Sequence, residues 1–157
     1  GSAAGAAGGE GRARYVWVVV NGERLVVSVG TCHTKKGDYD TISDFSRVMD
    51  GFDRLIGKDQ IAGCHINDRK NPSGARKDRH ENIGFGQIGF DALDYIVHHP
   101  DFADVPKILE TPYIPSEINP KKSYAPYKYE IEMLRNRVFD PGMKERILHD
   151  NEPSGKA

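Results

Sequence analysis

Between residues 25 and 134 the chain alternates short apolar runs with segments whose apolar residues recur every three to four positions. That alternation limits the fold more than any other feature. Residues 25–30 read as a strand. Ile42, Phe45, Val48, Phe52 and Leu55 then mark one face of a helix, with Gly57 suited to its end. Residues 61–66 are a second strand, short and apolar. Phe90, Leu93, Ile96 and Val97 mark a second helix, closed by Pro100. Residues 105–109 make a third strand, and Tyr127, Ile131 and Leu134 a third helix. The βαβαβα order predicts an α/β protein with a parallel sheet and right-handed crossovers. An open doubly wound sheet and a piece of a (β/α) barrel both satisfy it.

Ahead of this region the text differs. Residues 1–14 are mostly Gly, Ala and Ser in their first part and read as a disordered or added segment. Residues 15–29 hold two β-branched runs around Asn21-Gly22, which predicts a β-hairpin. Residues 30–151 carry the alternating pattern, and residues 152–157 read as a tail. The longest early apolar run, residues 16–20, is far too short to span a bilayer, so no membrane partner is expected. Two cysteines, Cys32 and Cys64, give no disulfide framework, and the start does not read as an export leader. A reduced, cytoplasmic setting is the expectation. The net charge of -1 does not mark a nucleic-acid binder, so any such role needs a local patch.

The residues able to do chemistry fall in one kind of place. His33 follows the first strand and His65 lies near the end of the second. Asp78 and His80 lie in the loop beyond it, and Glu110 ends the third strand. Parallel α/β folds build their sites at the carboxyl ends of strands. Three His and two carboxylates are the ligand types of zinc and similar metals. Any one of these His residues, taken alone, is more often a surface or hydrogen-bonding group. Glu110 carries more weight, since an unpaired buried carboxylate is costly. Residues 67–80 read NDRKNPSGARKDRH. Arg69, Lys70, Arg76, Lys77 and Arg79 stand against Asp68 and Asp78, an excess of three positive charges that could hold a phosphodiester. His98 and His99 precede Pro100 at a helix end, where a cation suits the helix dipole, and His149 is read as part of a polar tail. Cys32 and Cys64 are expected to pack rather than ligate.

These residues resemble a known family. CHINDRKNPSGARKDRH, residues 64–80, is similar to the third signature of the endonuclease IV family, and the likeness runs on through Glu81-Asn82-Ile83-Gly84 and Gly86. Ile108-Leu109-Glu110-Thr111-Pro112 looks like the family's glutamate-bearing strand, and Thr31-Cys32-His33 like the end of its second signature. Phe52-Asp53-Arg54-Leu55-Ile56-Gly57, and the tail with Tyr127, Glu130, Ile131 and Leu134, are similar too. The resemblance implies the carboxyl-terminal βα units of a TIM-type (β/α) barrel. It implies a cluster of up to three zinc ions and hydrolysis of the phosphodiester 5′ to abasic sites in duplex DNA, a step of base excision repair. In a bacterium it implies association with the nucleoid. Carried over by position, His33, Asp78 and His80 match the ligands of one metal and His65 and Glu110 two ligands of a second. Glu110 would also sit close to the attacking water, as the catalytic residue. Asn67 or Asp68 would orient ligands, and Lys70 and Arg76 would contact DNA phosphate.

Two departures qualify what is implied. The family places Asp before Thr-Cys-His, where this chain has Gly30, so the second metal loses a ligand. A whole barrel takes roughly 250 residues. Residues 1–29 do not resemble the family's amino-terminal half, which supplies further ligands, and read as an unrelated stretch. Exposed half-barrel edges predict self-association. A catalytically incomplete fragment keeping one metal site is the alternative, and a metal-dependent sugar isomerase-like barrel a further one.

Overall fold

The structure, a computed structural model, describes residues 2–4, 16–21, 24–29, 41–55, 57–70 and 79–152. Three strands open the chain: β1 (Ser2–Ala4), β2 (Val16–Asn21) and β3 (Arg24–Val29). β2 and β3 pair antiparallel from Val16↔Val29 to Asn21↔Arg24. Val-rich runs on both sides suit the pleated sheet. Ser2–Ala4 adds a third antiparallel strand against Val18–Val20. The Gly/Ala-rich start, expected to lack structure, therefore contributes a short edge strand.

Helix α1 (Thr41–Leu55) leads into β4 (Ile61–Ile66), which pairs parallel with β3. Gly57, at φ +110°, occupies the turn between them, a conformation that glycine adopts without strain. β5 (Asp68–Arg69) and β6 (His80–Glu81) form a separate two-residue ribbon. Helix α2 (Phe90–Val97) and a 3-10 turn at Pro100–Phe102 then lead to β7 (Lys107–Ile108), parallel to β4. β8 (Ile114–Pro115) and β9 (Ser123–Tyr124) make a second small ribbon. The chain closes with α3 (Tyr127–Asn136) and α4 (Met143–Asn151).

The main sheet runs β1-β2-β3-β4-β7. Among the described residues it is open, with β1 and β7 at its edges. The chain is thus a partial TIM-type barrel, with its parallel unit at β3-β4-β7. Among the described residues the edge that a half-barrel would leave at β3 is moved outward to β1. The hairpin covers the outer side of β3, because two antiparallel strands extend the sheet there. The other edge, β7, keeps Ile108 44% exposed. No helix among the described residues is long and apolar enough to cross a membrane.

The core lies on the α1 and α2 side of the sheet and continues under α3 and α4. Val27, Val29, Cys64 and Ile66 come from the strands, Phe45 and Val48 from α1, Leu93 and Ile96 from α2, and all are fully buried. Two expectations need correction. The buried stripe of α3 is Tyr129, Glu130, Met133 and Leu134, while Ile131 is 40% exposed. The helix is therefore turned so that a carboxylate faces inward. His149 does not sit in an irregular tail: it lies on α4, whose Met143 and Ile147 insert into the core four residues apart.

Cys64 packs, as expected of a small buried residue. Burial pushes its thiol up to about 12, with the Lys107 charge opposing weakly. At pH 8 roughly one molecule in 10^4 would then carry a thiolate, the reactive form. Iodoacetamide at that pH is expected to leave Cys64 unlabelled in the native protein and label it fully in urea, read by peptide mass mapping. Labelling at equal rates in both would show that the β4 core is open.

Candidate metal and phosphodiester site

Strands β4 and β7 run side by side, with Cys64 opposite Lys107 and His65 opposite Ile108. The amide of Cys64 also donates to the carbonyl of Pro106 at 2.9 Å. This register brings the segment just past Ile108 beside the end of β4. Glu110 lies two residues beyond β7, and its carboxylate meets His65 Nδ1 at 2.5 Å. The side chains are 26% and 51% exposed, so a solute can reach both. Contrary to the expectation from its apolar neighbours, Glu110 is held by a His partner at an open strand end and is not sealed in an apolar strand.

The backbone around Glu110 is fixed from two directions. Asn67, buried just beyond β4, accepts the Glu110 amide on Oδ1 at 2.8 Å. His80 Nδ1 lies 3.1 Å from the Glu110 carbonyl oxygen. Three of the five residues expected to ligate metal are thus brought together, with Asn67 beside them. His33 and Asp78 lie outside the described residues, as do Gly30 and Arg76. Among the described residues no three His, Cys, Asp or Glu side chains converge to hold a metal ion. The donor chemistry of the His65–Glu110 pair, an imidazole nitrogen and a carboxylate oxygen, fits zinc.

The basic loop is narrower than its sequence suggests. β5 and β6 pair Asp68 with Glu81 and Arg69 with His80, and the Lys70 amide donates to the Arg79 carbonyl at 2.9 Å. Arg69 is buried, so its charge is not part of an exposed phosphate-facing surface. Lys70 and Arg79 are exposed at the two ends of the loop.

Asp68 organises the turn behind the site. It is fully buried, and its two oxygens accept from the amides of Arg69, Gly84, Gly86, Ile88 and Gly89 at 2.8 to 3.4 Å. Burial pushes its carboxyl up, and the amides of Arg69, Ile88, Gly86 and Gly84 oppose the push. Among the described residues, the groups hydrogen-bonded to its two oxygens are backbone amides. Gly86 is needed there because a Cβ would come within 2.4 Å of the Arg69 carbonyl oxygen and 2.5 Å of Asp68 Oδ1. Asp68 is thus a loop anchor rather than a group touching the ligands.

A second buried carboxylate escapes a reading of the sequence. Glu130, on α3, accepts from the Ile83 amide at 2.9 Å, Asn82 Nδ2 at 3.3 Å and Thr111 Oγ1 at 2.5 Å. Asn82 Nδ2 also donates to the Pro112 carbonyl at 2.9 Å. The available signal was a Glu three residues before Met133 and four before Leu134, on a stripe that is otherwise apolar. Burial pushes the Glu130 carboxyl above its ordinary value of 4.5, against the hydrogen bonds from Thr111, Ile83 and Asn82. Here a proton is accommodated, because the Thr111 hydroxyl can accept it. A raised native value means that the native state holds the proton more tightly than the unfolded chain. The associated stability is complete below about pH 4 and is lost as pH rises through the raised value. The urea midpoint of the wild type, minus that of Glu130→Gln, is expected to fall from pH 4 to pH 8. A difference that rises with pH would reverse the assignment.

The remaining His residues have structural partners. His98 Nδ1 lies 3.0 Å from the Asp94 carbonyl oxygen at the end of α2, and His99 Nδ1 accepts the Asp101 amide at 3.1 Å.

Comparison with known proteins adds three findings. A sequence model of the family described as xylose isomerase-like TIM barrel matches residues 12–137. That span includes the hairpin, so residues 15–29 are not an unrelated stretch. Among curated relatives, "Probable endonuclease 4" of Lachnoclostridium phytofermentans is 60% identical over 128 residues, covering 82% of this chain and 43% of that protein. The protein of the same name from Geobacillus sp. is 56% identical over 132 residues, covering 84% and 44%. The one from Staphylococcus aureus is 54% identical over 136 residues, covering 87% and 45%. This chain therefore spans less than half the length of these curated relatives. The crystal structure of endonuclease IV from Thermus thermophilus aligns with 62% of this chain and 33% of that one, at 28% identity and a TM-score of 0.47.

Proposed function

Because the chain belongs to the xylose isomerase-like TIM barrel family and its sequence groups with endonuclease IV, we propose that it is the metal-carrying part of a zinc-dependent endonuclease that hydrolyses the phosphodiester 5′ to abasic sites in duplex DNA. The observation that carries this reading is the His65–Glu110 pair at the ends of neighbouring parallel strands. His33, His65, Asp78, His80 and Glu110 would hold the metal. Zinc held there would supply the Lewis acidity that activates water at neutral pH and offsets phosphate charge. Glu110, open to solvent beside His65, would orient the attacking water. Asn67 keeps the Glu110 main chain in place. Lys70, and Arg76 within the loop, would meet the DNA backbone. The proposed setting is cytoplasmic, and at the nucleoid if the source is a bacterium.

The test is incision of a duplex carrying one stable abasic analogue by the purified chain with added zinc. Cleavage 5′ to the lesion, reduced at least ~100-fold in His65→Ala, supports the reading, since loss of even a neighbour of a ligand costs about that much. A second reading is favoured by Gly30, which stands where the family has a ligating Asp: a catalytically incomplete site that keeps one metal. Metal analysis separates the two. Zinc near one per folded chain without incision supports the incomplete site, and incision by a self-associated form with more metal supports the nuclease. The bare β7 edge, with Ile108 exposed, is the surface through which self-association would occur.

A further inference from the structure

We propose that Glu130 is a positioning residue, which sets His80 against Glu110 and so fixes the ligand geometry of the site; this rests on the metal-site reading above. Two separate segments carry these residues. One runs from His80 through Asn82 and Ile83, the other from Glu110 through Thr111 and Pro112. Glu130 grips both at once. Its Oε2 accepts from the Ile83 amide and from Asn82 Nδ2 in the first segment, and its Oε1 accepts from Thr111 Oγ1 in the second. Asn82 completes the link by donating to the Pro112 carbonyl. Glu130, Asn82 and Thr111 are all buried, at 0%, 1% and 3% exposure, so water does not replace these contacts at low cost. The product of the arrangement is visible one step away, where His80 Nδ1 meets the Glu110 carbonyl at 3.1 Å. Glu130 touches neither ligand side chain. It acts through the main chain on either side of them, and a shift of a ligand-bearing segment is felt as a loss of metal affinity.

Three variants separate positioning from mere stabilisation. Glu130→Leu keeps most of the volume but removes both acceptors. Glu130→Gln can keep the network, with its carbonyl toward Ile83 and Asn82 and its amide donating to the Thr111 hydroxyl. Ile147→Ala weakens the core at α4 and removes none of the Glu130 hydrogen bonds. Zinc affinity of the folded full chain is measured by competition with a chromophoric chelator, with folding checked by circular dichroism. Glu130→Leu is expected to raise the zinc Kd by about 10- to 100-fold. Glu130→Gln is expected to bind within a few-fold of wild type, and Ile147→Ala to leave the Kd unchanged despite its lower melting temperature. If Glu130→Leu does not fold, Thr111→Val, which cuts the link to the Glu110 segment alone, takes its place with the same expectation.

A second readout needs no metal. Ring 15N resonances of His80 in the metal-free protein report its contact with Glu110, and they are expected to move in Glu130→Leu and Thr111→Val while those of His149 stay. Unmoved His80 resonances overturn the proposal, as does an unchanged zinc Kd or an equal loss in Ile147→Ala. Should the wild type bind no zinc, the metal-site reading fails, and the His80 resonances alone decide the positioning role.

Discussion

Asp68→Ala is expected to cost about 4 kcal/mol or more of stability and to lower the urea midpoint sharply. The substitution removes the acceptor of the amides of Arg69, Gly84, Gly86, Ile88 and Gly89 in a place fully closed to water. Each donor left dry costs about 1–3 kcal/mol. Even partial relaxation of the turn leaves a loss of about 4 kcal/mol or more, against a total stability of about 5–15 kcal/mol for an ordinary domain. Asp68→Asn is expected to fall between the two, because its amide nitrogen would face amide donors. Urea unfolding followed by circular dichroism checks this. An Asp68→Ala midpoint equal to that of the wild type would mean that the turn at residues 84–89 is held by something else.

Phe45→Ala is expected to cost about 3–5 kcal/mol, the range for an emptied aromatic site in a core. Phe45 is fully buried on α1. Its ring meets His99 at 5.1 Å and Phe102 at 5.3 Å between centroids, both near edge-on, and Tyr95 at 6.4 Å. One ring therefore joins α1 to the end of α2 and the 3-10 turn before β7. The loss should reach beyond α1: hydrogen exchange in residues 100–108 is expected to rise with it. Phe45→Leu, which refills part of the space, should recover more than half of the loss. Equal destabilisation by Leu and Ala would point to ring-specific contacts rather than volume as the source.

How far the sequence could be read follows from which signals are local. β4 was legible to the residue, because residues 61–66 are apolar and bounded by polar turns on both sides. α2 was legible for the same reason, with three buried residues at helical spacing. α3 was legible as a helix but not in its rotation. Tyr127 and Ile131 form a plausible apolar stripe, and only tertiary contacts with Asn82, Ile83 and Thr111 make Glu130 the residue that turns inward. α4 escaped notice because two buried side chains, Met143 and Ile147, are all that it offers among charged neighbours. At the site, residue types and strand ends pointed to His65, His80 and Glu110, which the fold brings together. That Arg69 is buried while Lys70 next to it is exposed could not be seen from composition, since both read as loop cations.

The two-residue ribbon β5·β6 has a consequence for how such a protein can change. Asp68↔Glu81, Arg69↔His80 and the Lys70–Arg79 hydrogen bond close the chain just outside residues 71–78. Whatever is written between those positions begins and ends at the same two points in space. Doubling the length of a closed loop costs only about 0.6 kcal/mol. Insertions there should be tolerated by the fold while His65 and Glu110 stay in place. The ribbon thus makes the length of chain between residues 70 and 79 a variable of its own, which can change without re-registering β4 against β7.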